Sequence, residues 1–170
     1  REVAAGMRVH VNGAGGGVGT FAIQLARHAG AEVTAVDRAE KFETMRAAGA
    51  TSVIDYRSAD WAQLPSRYDL ILEVIGQRSL AAYAAALNPG GRMRLVGGKM
   101  RLIASTFFFG GAIGRSEKKN LALVIHRPGA AALDELAGLF AAGTITPVID
   151  RVFPLAEAAA AVKVIADGEA

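Results

Sequence analysis

Two kinds of apolar pattern alternate along this chain. Short blocks rich in Val, Ile and Leu occupy Val9–Asn12, Glu32–Val36, Ser52–Asp55, Tyr68–Val74, Arg92–Val96 and Leu121–His126. Such compact apolar runs are what parallel strands buried on both faces require. Between them lie longer segments whose apolar residues recur at helical spacing: Val18–Ala29, Ala39–Ala48, Arg78–Leu87, Ala130–Ala142 and Leu155–Ala166. Gly30, Gly49 and Gly143 follow three of these and serve as helix stops, and Asn88-Pro89-Gly90 ends a fourth. Strands alternating with helices predict an α/β fold with right-handed crossovers. The expected form is a doubly wound parallel six-stranded sheet in a three-layer α/β/α sandwich, the Rossmann arrangement.

Two stretches break the alternation. Residues 98–118 hold Phe107-Phe108-Phe109 between small residues, with Gly110, Gly111 and Gly114 following closely. The stretch reads as a loop, either a buried connection or a substrate-facing lid, and its phenylalanines as packing residues. Ile145–Phe153, bounded by Pro147 and Pro154, reads as extended.

The densest chemical signal is MRVHVNGAGGGVG at 7–19. Strand one runs into a glycine cluster that opens directly into a helix. Gly13, Gly16 and Gly19 stand three residues apart, and Asp37 ends the next strand, 18 residues past Gly19. Glycines here permit a tight turn and let backbone approach a pyrophosphate. The helix behind them offers unpaired N–H groups and the positive end of its dipole. An acidic residue after strand two suits ribose hydroxyls.

With 170 residues, 52% of them hydrophobic and 6% aromatic, the chain has enough material for one well-packed domain. Its net charge of +3 comes from cations that look scattered in sequence, so no nucleic-acid partner is expected. There is no cysteine, hence no disulfide and no thiolate zinc site. No apolar run is long enough to span a bilayer, and no membrane partner is expected. A cytoplasmic protein is the default expectation. His10 reads as a buried, hydrogen-bonded strand residue, His28 as a solvent-facing cation at a helix end, and His126 as a strand terminus. Trp61 reads as loop packing. No metal site and no catalytic residue can be named.

These segments resemble the medium-chain dehydrogenase/reductases, above all the quinone oxidoreductases and zinc-independent alcohol dehydrogenases. The resemblance is carried by VNGAGGGVGTFAIQLARHAGAEVTAV (11–36), AAGATSVIDY (47–56), YDLILEVIG (68–76), ALNPGGRMRLVGG (86–98) and ITPVIDRVFPLAEAAAAV (145–162). It implies that residues 1–170 are the dinucleotide-binding domain of a longer protein. The N-terminal catalytic barrel domain and a final strand would lie outside this sequence. It also implies that Gly13, Gly16, Gly17, Val18 and Gly19 cradle a pyrophosphate. Asp37, Arg38 and Lys41 would then meet the adenosine ribose, with Asp55 and Tyr56 at the adenine. Val74, Ile75 and Gly76 would face the second ribose, and Gly97 and Gly98 the nicotinamide. The implied function is NAD(P)H-dependent hydride transfer to or from a carbonyl, quinone or activated alkene, with the isolated domain inactive on its own. A non-catalytic nucleotide-binding or redox-sensing module is the alternative. An S-adenosylmethionine enzyme fits the glycine spacing less well.

Asp37 tips the cofactor toward NAD over NADP. A carboxylate about 4 Å from a 2′-phosphate, at an effective dielectric of about 20, is repelled by roughly 4 kcal/mol. Arg38 and Lys41 work against that repulsion. Asp37 read instead as a simple cap of the next helix would carry no such preference. Finally, the wholly apolar run Leu121–Ile125 is expected to be an edge strand. Relatives commonly pair such an edge across a two-fold axis, so a homodimer through 121–126 is expected.

Overall fold

The computed structural model describes residues 3–65, 67–116, 118–125 and 129–168. Six strands form a single sheet: β1 (Arg8–Asn12), β2 (Glu32–Asp37), β3 (Ser52–Asp55), β4 (Tyr68–Glu73), β5 (Leu87–Leu95) and β6 (Asn120–Leu123). Their order is β3-β2-β1-β4-β5-β6 and every pairing is parallel. The chain fills one half of the sheet outward from β1, then returns to fill the other half outward from β4. The crevice beyond the C-terminal ends of β1 and β4 is therefore the switch point of a doubly wound sheet.

Period-two alternation places the two cores. On β1, Val9 and Val11 face α1 (Gly17–His28) and α2 (Phe42–Ala48), meeting Ile23, Ala26, Val33, Ala35 and Met45. His10 and Asn12 point to the opposite face. There, α3 (Leu80–Ala86), α4 (Met100–Ser116) and a short 3-10 turn at Trp61–Gln63 cover Ile71, Met93, Leu95 and Leu121. Ser79 caps α3 through its hydroxyl, and Gly49 closes α2 in the left-handed conformation at φ +110°. The β4–β5 register shifts between Tyr68 and Leu70, where Asn88–Gly91 loop outward from the ladder.

The structure revises three local expectations and refines a fourth, the extended segment at 145–153. Within residues 98–118, Met100–Ser116 form the 17-residue helix α4, not a loop. Its glycines misled because they serve packing: Gly110 and Gly114 press onto β6, where a Cβ would stand 2.5 Å from the Leu121 and Lys119 carbonyl oxygens. The helix ends at Ser116, and Lys118 beyond it takes φ +54°. The α3 helix is shorter than Arg78–Leu87, because Leu87 already pairs with Tyr68. β6 ends at Leu123, so the strand is shorter than 121–126, and His126, Arg127 and Pro128 lie outside the described residues. Residues 145–153 belong to no strand.

The C-terminal helices α5 (Ala130–Ala141) and α6 (Ala158–Ala166) bury no residue. They attach through Ile145, an edge-on Phe21–Phe140 contact at 5.7 Å, and a two-way hydrogen bond between the Gln24 amide and the Thr146 backbone.

His10 is buried as expected but not hydrogen-bonded: neither ring nitrogen has a partner. Its ring lies between Trp61 and Tyr68, at centroid separations of 4.1 and 4.7 Å. Trp61 thus packs a core, not merely a loop. Burial holds the His10 imidazole neutral, with its pKa down from 6.5 to about 3. The unfolded chain protonates this side chain first, so stability is intact above pH 6.5 and falls as the pH drops toward 3. We expect denaturant melts to lose up to about 1.4 kcal/mol per pH unit across that window. The His10→Phe variant should show a measurably shallower slope.

Candidate functional site

A cleft of about 590 Å³ opens at the switch point. Its floor is the glycine turn between β1 and α1. Gly13 takes φ +80°, and its N–H and that of Ala14 donate to the Val36 carbonyl, hooking the turn onto β2. Gly19 lies on the first turn of α1, where a Cβ would come within 2.3 Å of the Gly13 carbonyl oxygen. This close approach draws the helix N-terminus down over the strand end. Gly16 caps α1 with φ −92°, and Gly17 begins it; a Cβ at Gly16 would meet only the Gly13 oxygen at 3.7 Å, and one at Gly17 would meet nothing within 4 Å. The first turn of α1 holds no acid. The result is an open, electropositive shelf of backbone N–H groups suited to a phosphate.

Asp37 ends β2 beside this shelf. Its Oδ2 accepts from the Gly15 N–H at 2.9 Å and its Oδ1 from the Arg38 N–H at 2.8 Å. The carboxylate braces the glycine turn and does not cap the helical turn that follows at Ala39–Lys41, whose first N–H donates to Asp55 instead. Arg38 and Lys41 line the same end of the cleft, joined by Tyr56, Asp167 and Gly168. The Arg38 guanidinium donates to the Gly168 carbonyl at 2.7 Å.

Of the residues singled out in the sequence, Gly13, Gly16, Gly17, Val18, Asp37, Arg38, Lys41, Tyr56, Val74 and Ile75 line this one cleft. Gly19 supports it from behind. Asp55 is turned away: its carboxylate accepts from the Arg57 side chain at 2.9 Å and the Ala39 N–H at 3.2 Å. Those bonds, led by the Arg57 side chain, hold its pKa down to about 2. Gly76, Gly97 and Gly98 stand apart from the lining and pack backbone to backbone, a Cβ on Gly76 falling 2.7 Å from both Gly97 O and Gly98 Cα. Their contact closes the ends of β4 and β5 against each other.

Sequence reasoning missed Asn12, Gln77 and Arg78, which also line the cleft, and Glu73 directly behind it. Glu73 is fully buried at the end of β4, in register with Asn12 on β1. The Asn12 amide donates to its two carboxylate oxygens at 2.8 and 3.0 Å, while the Ile75 and Gly76 N–H groups donate to Oε1 at 2.9 and 2.7 Å. The Tyr83 hydroxyl of α3 bonds to it as well, and accepts from the Arg78 N–H at 3.2 Å. Burial pushes the Glu73 carboxyl up, against the pull of these donors. An acid closing an otherwise apolar strand, YDLILE, was the available signal. Removing it in Glu73→Ala orphans several buried donors, so urea unfolding should show a loss of about 3 kcal/mol or more. Glu73→Gln keeps an acceptor for Ile75 and Gly76 and should lose roughly 1 kcal/mol.

A family model described as zinc-binding dehydrogenase matches residues 48–170. Among curated proteins, the mitochondrial NAD(P)H oxidoreductase RTN4IP1 of Mus musculus is 35% identical over 173 residues, covering 89% of this chain and 43% of that protein. Among solved structures, the quinone oxidoreductase of Coxiella burnetii superposes with a TM-score of 0.85 at 22% identity, covering 99% of this chain and 52% of that one. A thermostable alcohol dehydrogenase of Pyrobaculum aerophilum gives a TM-score of 0.77 at 25% identity, covering 99% and 49%. The chain thus spans about half the length of the proteins it matches, or less. No group of three His, Asp or Glu among the described residues is placed to hold a metal ion. Because the family match takes in well over half of the chain and the relatives run along nearly all of it, the chain belongs to the zinc-binding dehydrogenases of the medium-chain dehydrogenase/reductase superfamily.

Proposed function

We propose that residues 1–170 bind the nicotinamide nucleotide of an NAD(P)H-dependent oxidoreductase acting on a carbonyl, quinone or activated alkene. One observation carries this reading: a phosphate-sized shelf without side chains lies at a helix N-terminus, at the switch point, with a carboxylate at the end of β2. The relatives, NAD(P)H oxidoreductases and quinone oxidoreductases by name, support it. When bound, the cofactor supplies or accepts the hydride. The chain's own residues place it: Gly16, Gly17 and Val18 would face the pyrophosphate, and Asp37, Arg38 and Lys41 the adenosine ribose. Val74 and Ile75 would line the way to the nicotinamide, with Gly76, Gly97 and Gly98 shaping that end through backbone packing. The acid–base group of the reaction is not assigned to this chain.

Asp37 supports NAD over NADP, because its charge would lie where the 2′-phosphate of NADP must go. For the location, the sequence-based default of cytoplasm competes with the names of relatives described as mitochondrial or chloroplastic. We keep the cytoplasm as the reading, and cell fractionation tests it against an organelle. A homodimer through the β6 edge is part of the same proposal. β6 ends the sheet, and Val124 beyond it is half exposed, with its own N–H already committed to Leu95 O at 2.8 Å.

Three outcomes are expected. Gly16→Val should stay folded, since its φ suits any residue and the space is open, yet calorimetry should show NADH affinity reduced by about a hundredfold or more. Unchanged affinity would remove the phosphate shelf from the proposal. Asp37→Ser should move the NADPH-to-NADH preference toward NADPH by about tenfold or more in fluorescence titration, from lost repulsion. A wild-type protein that already prefers NADPH strongly would refute the Asp37 argument. Val124→Lys should shift sedimentation from dimer to monomer, and a wild-type monomer would refute the edge contact.

A further inference from the structure

The outward face of α4 is the largest feature the nucleotide site leaves unexplained. Leu102, Thr106, Gly110 and Gly114 recur every four residues and form its buried stripe. Gly110 and Gly114 lie so close to the β6 backbone that the helix cannot roll, because any neighbouring side chain turned inward would collide with the Leu121 and Lys119 carbonyls. Phe107, Phe108 and Phe109 are thereby held outward, 70%, 71% and 60% exposed. Phe107 and Phe108 meet edge to face at 5.2 Å. Three exposed phenylalanines in a row are costly in water and are not explained by the core beneath them.

Charge surrounds this row in an ordered way. Residues 74–133 contain nine Lys and Arg and one acid, Glu117, a net charge of +8. The remaining residues contain ten Lys and Arg and fifteen acids, a net charge of −5. Seven of the nine cations, Arg92, Arg94, Lys99, Arg101, Arg115, Lys118 and Lys119, lie between the middle of β5 and the start of β6. On α4 itself, Arg101, Phe108 and Arg115 are seven residues apart and share one face. Exposed Lys99 and Lys118 extend the pattern past the two helix ends. Cations about 20 Å apart thus flank a central aromatic row, given the rise of a helix.

We propose that this face of α4 docks on an anionic phospholipid surface, with the phenylalanines entering the headgroup–acyl boundary and the flanking cations meeting lipid phosphates. Aromatic burial and attraction to anionic lipid are the two terms that hold a helix in the membrane plane. No helix among the described residues is long and apolar enough to cross a membrane, so α4 would lie on the surface. Charge complementarity selects this occupant over a second copy. Two α4 faces brought together across a two-fold axis would oppose arginine with arginine. It also selects it over nucleic acid, whose bases stack on aromatics set along a charged groove, whereas this row crowns a convex helix.

The test is vesicle co-sedimentation of the longest form of the protein that carries this chain. One set of vesicles is phosphatidylcholine alone and the other contains an equal part of phosphatidylglycerol. Binding is expected only to the anionic vesicles, and high salt should weaken it. Phe107→Ser with Phe108→Ser, and separately Arg101→Gln with Arg115→Gln, should each reduce it by about tenfold or more while thermal melting stays unchanged. Four results would overturn the proposal. The first is no binding by wild type, as when another part of the protein covers the face, and the second is equal binding to both vesicles. The third is vesicle binding unaffected by either pair of substitutions. The fourth is a different occupant: a dimer that the Phe substitutions dissolve, or single-stranded RNA bound in preference to vesicles. NADH affinity, read in parallel, should be unchanged in both variants, which separates this outcome from that of the nucleotide site.

Discussion

The buried carboxylate of Glu73 holds the two halves of this domain together at the point where they diverge. A doubly wound sheet has a weakness at its switch point: the chains leaving β1 and β4 turn opposite ways, and backbone groups lose their ladder partners there. One side chain resolves this by accepting from Asn12 on β1, from the Ile75 and Gly76 amides after β4, and from Tyr83 on α3. Three elements and a turn converge on two oxygen atoms. Desolvating an acid here is unfavourable, and that many donors offset the cost. The cleft has a fixed back wall because those donors have nowhere else to turn.

The glycine turn solves the complementary problem on the other wall. Its contacts are backbone to backbone, and their closeness depends on the absence of Cβ atoms at Gly13 and Gly19. Asp37 then reaches across from β2 to fasten Gly15. One carboxylate therefore shapes the shelf and also presents charge to whatever lies on it. A substitution at Asp37 is felt in both roles, which is why affinity for two nucleotides, not one, must be compared.

Much of this was legible in the residues. Alternating apolar blocks gave strand and helix order because parallel strands buried on both faces leave little choice of residue. The nucleotide shelf was legible because glycine spacing, strand and helix were contiguous within 7–29. What stayed hidden depended on contacts between distant segments. Gly110 and Gly114 looked like loop residues, since nothing local shows that β6 will lie against them. Glu73 looked like an ordinary strand end until Asn12 and Tyr83 arrived beside it. His10 was placed correctly in the core but assigned hydrogen bonds it lacks, because two aromatic rings occupy the positions where partners would stand. Clustering of cations was legible along the chain, since residues 74–133 hold nine Lys and Arg against one acid, but its place beside the exposed phenylalanines was not, because the segment read as a loop.

The thin attachment of α5 and α6 gives the cleft two ends of unequal firmness. Helices that bury no residue of their own, and are tied among the described residues mainly by Ile145, the Gln24–Thr146 amide pair, the Phe21–Phe140 contact and the Arg38–Gly168 bond, open at a free energy well below that of the whole domain. Such openings carry Asp167 and Gly168 with them, and so loosen the rim that Arg38 grips. The glycine shelf, built from the sheet's own backbone, does not share that motion. Amide exchange in this domain would therefore run as a gradient across a single cleft, slow along the glycine turn and fast at the rim beside Arg38.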